Sequence, residues 1–62
     1  REKRHRLVAD LGRRERRPHR EINAWLNQAI GVQRVEDATI EQLERSIELL
    51  LDALSGRTPL PR

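Results

Sequence analysis

Ile22, Trp25, Leu26, Ala29 and Ile30 stand at i, i+3, i+4, i+7 and i+8, the spacing that lays apolar side chains along one face of an α-helix. Two further segments repeat that period: Leu7, Val8 and Leu11 near the start, and Ile40, Leu43, Ile47, Leu50, Leu51 and Leu54 toward the end. No segment alternates apolar and polar residues over the length of a strand. The chain is therefore restricted to an all-α fold, a small three-helix domain whose stripes bury one another.

Local signals mark where the helices start and stop. Proline disfavours helical geometry in the residue before it and suits the first turn of a new helix, so Pro18 divides the first two stripes. Gly31 follows the last apolar residue of the second, where a residue free to turn left-handed closes many helices. Thr39-Ile40-Glu41-Gln42 matches a capping box, with the threonine oxygen reaching the Gln42 amide and the Gln42 side chain returning the bond. These signals predict helices over about residues 3–15, 18–30 and 39–55. Val32 to Ala38 reads as an extended connector between helices two and three, pinned by Val32 and Val35. Residues 1–56 then form a single helical domain, and 57–62, with Pro59 and Pro61, form a disordered tail. Gly12 weakens the first helix by about 1 kcal/mol relative to alanine.

A chain of 62 residues has no more than one core, and this one holds a single aromatic residue, Trp25, and no cysteine for a disulfide or thiolate metal site. Trp25 lies in the middle of the second stripe, which predicts a core anchor rather than a base-stacking platform. On the third helix, Glu41, Glu44, Arg45, Glu48 and Asp52 are expected to face water, and Leu49 lies off the main stripe and widens it. The chain opens on Arg1, which is the expectation for a domain of a longer protein. It contains no apolar run near the roughly 20 residues that span a bilayer and no export-signal pattern. A cytoplasmic location and no membrane partner are the expectation.

Charge is strongly segregated. Nine of the thirteen Lys and Arg residues fall in the first twenty positions beside three acids, Glu2, Asp10 and Glu15. From Glu21 onward four arginines face seven acids. On a helical wheel, Lys3, Arg6, Arg13, Arg14 and Arg17 gather in one arc beside the Leu7-Val8-Leu11 stripe. Arginine's planar fork favours phosphate, and each cation set near a phosphate releases a counterion. Lys3, Arg6, Arg13, Arg14, Arg17 and Arg20 are accordingly the candidate nucleic-acid-binding residues, with DNA favoured over RNA.

Catalysis has little to build on. Hydroxyls are limited to Thr39, Ser46, Ser55 and Thr58, and no nucleophile, base and orienting group recur together. His5 and His19 are too few for a metal site, and His19 at the mouth of the second helix suits packing or a turn hydrogen bond. Asn23 and Asn27, one turn apart, could read base edges or hold a facing loop, and structural contacts are the commoner use. No cofactor, no metal and no enzymatic activity are expected of the domain itself.

A helix bearing Leu7, Val8 and Leu11, then Pro18-His19-x-x-Ile22-Asn23-x-x-Leu26-Asn27, Gly31-Val32 and Ala38-Thr39-x-x-Gln42-Leu43-x-x-x-Ile47, resembles a small helical module. Such modules occur near the C-terminal ends of some bacterial DEAD/DEAH-type helicases and in some phage-encoded DNA-processing or regulatory proteins. The resemblance covers about residues 6 to 52, and His19, Ile22, Leu26 and Gly31-Val32 are its more distinctive elements. It implies an accessory module of a DNA-handling protein and supplies no catalytic residues. The run Arg13-Arg14-Glu15-Arg16-Arg17 is more basic than that pattern requires. A rival reading makes the acidic, leucine-rich third helix a surface for a parent domain, a protein partner or self-association.

Overall fold

The computed structural model describes residues 2–60; Arg1, Pro61 and Arg62 lie outside the described residues. Three helices follow one another, α1 over Glu2–Glu15, α2 over His19–Ile30 and α3 over Ile40–Leu54. Among the described residues there is no strand, and each helix packs on the other two. The fold is the all-α, three-helix domain that the apolar periodicity requires.

The helix ends follow the local chemistry. Thr39 caps α3 through its side chain, which accepts from the Gln42 amide at 3.1 Å, while Gln42 Oε1 accepts from the Thr39 amide at 2.8 Å. Gln42 also donates through Nε2 to the Ile30 carbonyl at 3.1 Å, so the cap of α3 is tied to the end of α2. Gly31 takes a left-handed conformation (φ 82°), and the Val32 amide donates to the Asn27 carbonyl at 2.9 Å. Such bonds satisfy carbonyls that the last helical turn leaves open. The connector is less extended than expected, because Val35–Asp37 form a 3-10 turn that brings both half-buried valines back toward the helices.

The first turn between helices is unusual. Arg16 adopts a left-handed conformation at φ 57°, and the Arg17 amide donates to the Gly12 carbonyl at 2.9 Å. The chain turns back so tightly that a Cβ on Gly12 would sit 2.9 Å from the Arg17 carbonyl oxygen and 3.4 Å from His19 Cδ2. Gly12 is buried. It is a packing requirement of the turn, not merely a weak helix residue.

Val8, Leu11, Ile22, Leu26, Leu50 and Ala53 form the core, with Leu7, Trp25, Leu49, Leu54 and Leu60 packed around it. Two expectations change here. Trp25 is half-buried at the margin, and Leu26 and Ile22 occupy the centre. More consequentially, α3 is rotated from its expected orientation. Its buried residues are Ser46, Leu50 and Ala53, whereas Ile40 and Leu51, expected in the core, are 77% and 45% exposed. Small side chains at Ser46 and Ala53 let α3 approach its neighbours with Leu50 between them, and Leu49 joins the inward side. Glu41, Glu44, Arg45 and Glu48 face solvent as expected.

The Arg57 amide donates to the Asp52 carbonyl at 2.8 Å, and Leu60 packs against the core. The rest of the expected disordered tail, Pro61 and Arg62, lies outside the described residues.

Candidate nucleic-acid interface

At 100° per residue, Lys3, Arg6, Arg13 and Arg14 project from α1 within an arc of about 100°, whereas Arg17, expected in the same arc, follows the left-handed Arg16 beyond the end of the helix. Val8, Leu11 and Gly12 are buried on the opposite side. Lys3, Arg6, Arg13, Arg14 and Arg20 are exposed, and Arg17 is half-buried in the turn. From Lys3 to Arg13 the ridge runs about 15 Å, enough to pass several phosphates, which rise about 3.4 Å each along the duplex axis.

The six predicted residues are not equivalent. Arg13 pairs with Asp10, which stands within the same arc. Arg14 donates to the Leu54 carbonyl at the end of α3 and lies 3.9 Å from Glu15. A cation at a helix C-terminus satisfies an open carbonyl and the negative end of the helix dipole. Arg14 therefore ties α1 to α3. Among the described residues, Lys3, Arg6, Arg17 and Arg20 meet no carboxylate.

Arg4 belongs to the same basic run but points inward. Its Nε donates to Ser46 Oγ at 3.0 Å and its Nη1 to Asn23 Oδ1 at 3.1 Å, so one side chain of α1 joins α3 and α2. Ser46 Oγ in turn donates to the Leu43 carbonyl at 2.6 Å. Burial pushes the Arg4 pKa down from its ordinary value, since a charged guanidinium loses hydration without a carboxylate to compensate. Its Nη2 is closed to water and has no partner among the described residues. The signal was present in the sequence. Arg4 stands at i−4 from Val8 and i−7 from Leu11, on the core stripe itself.

Arg4, Asn23 and Asn27 line an open cleft of about 720 Å³, walled by Val8, Val35, Ala38, Leu43 and Ile47. Asn27 Nδ2 donates to the Gln33 carbonyl at 3.4 Å and holds the connector. Both asparagines thus make structural contacts. His5 and His19 meet edge to face, with ring centroids 6.0 Å apart. Among the described residues no group of three or more His, Cys, Asp or Glu side chains is placed to hold a metal ion, and no helix is long and apolar enough to cross a membrane. No protein-family model, curated protein or solved structure matches the chain.

Proposed function

We propose that this domain is an accessory nucleic-acid-binding module, part of a larger DNA-processing protein such as a helicase. In this reading it anchors that protein on its substrate through phosphate contacts, with DNA favoured over RNA. The observation that carries the reading is the absence of acidic partners for Lys3, Arg6, Arg17 and Arg20 among the described residues. Cations left without acids repel one another, and a row of phosphates relieves that repulsion while releasing counterions. Arg13 contributes when its exposed pair with Asp10 opens, since such pairs are worth little. Arg14, engaged at the end of α3, contributes least. Phosphate contacts position a protein without reading sequence, so binding is expected to be weak and to discriminate little between sequences.

The test is binding of the domain to a short DNA duplex, a DNA single strand and an RNA of equal length at low salt. The double substitution Arg6→Glu with Arg20→Glu removes two unpaired cations from solvent-exposed positions. It is expected to weaken DNA binding by at least about tenfold while the helical spectrum stays unchanged. Arg45→Glu, on acidic α3, is expected to change binding by less than about twofold. The reading fails if both variants behave alike or if the wild-type domain binds none of the three.

A further inference from the structure

The apolar arc of α3 is wider than the core covers. Leu50 is buried and Ile47 half-buried, while Ile40 is 77% and Leu51 45% exposed. At 100° per residue, Ile40, Ile47 and Leu51 lie within about 40° of one another, and they span three turns or about 16 Å. They make one ridge, not scattered surface residues of the ordinary kind. Ile47 and Leu43 also wall the cleft beside Val35 and Ala38, so the ridge runs into an apolar concavity.

Charge decides what suits this ridge. Glu41, Glu44 and Glu48 are exposed along one flank, and Arg45 beyond them pairs with Glu48 at 3.2 Å. A second copy of the chain would bring the same acidic flank on its own α3. Its basic α1 offers no apolar face either, because Val8 and Leu11 are buried in its own core. We propose that the Ile40–Ile47–Leu51 ridge docks an amphipathic helix of a protein partner. That helix is apolar where it meets the ridge and carries lysine or arginine where it passes Glu41, Glu44 and Glu48. Rows one and two turns apart accept the interdigitating side chains of another helix, and about eleven partner residues match the length of the ridge. This surface shares no residue with the basic ridge of α1, so it does not depend on the nucleic-acid reading.

A synthetic fourteen-residue helical peptide (about four turns), with leucines on one face and lysines on both flanks, provides the probe. Titrated into the 15N-labelled domain, it is expected to shift the amides of α3 around Ile40, Ile47 and Leu51 and to leave those of Lys3 to Arg13 unmoved. Leu51→Asp is expected to weaken it at least about tenfold. Glu44→Lys with Glu48→Lys, which touches no apolar residue, is expected to do the same and to remove the salt dependence. A peptide with glutamates in place of the lysines is expected to bind at least about tenfold more weakly. The proposal is overturned if the lysine peptide causes no α3 shifts at millimolar concentration, or if the glutamate peptide binds equally well. It is also overturned if sedimentation shows a dimer that Leu51→Asp dissolves, because the occupant is then a second copy.

Discussion

Gly12→Ala is the substitution for which propensity and packing disagree in sign. In an exposed helix interior the change stabilises by about 1 kcal/mol, because glycine carries the larger conformational entropy cost. At Gly12 the new Cβ would stand 2.9 Å from the Arg17 carbonyl oxygen. That oxygen is backbone, in a turn fixed by the Arg17 amide on the Gly12 carbonyl at 2.9 Å, so it has no flexible side chain to swing away. Inserting a methyl into such a contact costs about 1–3 kcal/mol, which exceeds the helical gain over most of that range. The expected net loss is about 0–2 kcal/mol, or a fall of up to roughly 16 °C in Tm for a domain of this size. Thermal unfolding followed by circular dichroism at 222 nm measures it. A Tm that rises by about 4 °C or more would refute the tight α1–α2 turn and leave Gly12 as an ordinary helix residue.

The neighbouring turn supplies a change of opposite sign. Arg16→Gly relieves a left-handed conformation at φ 57° and is expected to stabilise by about 1 kcal/mol in the same melting assay. Thr39→Ala removes the side-chain half of the α3 cap and is expected to cost about 1 kcal/mol in urea unfolding. Arg4→Met keeps the aliphatic bulk while deleting a half-buried, unpaired charge, and is expected to be neutral or stabilising. Arg4→Ala, which loses the packing as well, is expected to cost about 1–2 kcal/mol; equal stabilities for the two variants would mean that the aliphatic stem of Arg4 does not pack between the helices.

The sequence displayed what depends on nearest neighbours along the chain. Thr39 with Gln42, Gly31 after Ile30, and Pro18 set the helix limits to within a residue, because caps and stops act over one turn. The rotation of α3 was hidden by Leu49-Leu50-Leu51, which presents an apolar side chain to three directions at once, so periodicity alone cannot choose the inward one. Ser46 lowers the apparent hydrophobicity of the face that is in fact buried, and its partner Arg4 lies forty-two residues away. Arg4 itself was masked by its surroundings, one arginine in a run of them, although its spacing from Val8 and Leu11 placed it on the core stripe. The candidate interface was legible as an arc of charge on α1. Which of its members remain unpaired was not, because the attachment of Arg14 to the Leu54 carbonyl arises only from tertiary packing.

Salt dependence tests the proposed function most directly, because it counts ionic contacts without requiring the bound sequence to be known. Contacts from Lys3, Arg6, Arg17 and Arg20 each contribute a slope of about −0.9 in log affinity against log salt for duplex DNA, or about −0.7 for a single strand. The wild-type domain is expected to show a slope of roughly −3 to −4 on duplex DNA, and Arg6→Glu with Arg20→Glu to reduce it to about −2 or less. A slope near zero, or one that the two substitutions leave unchanged, would contradict the assignment of phosphate contact to these four residues.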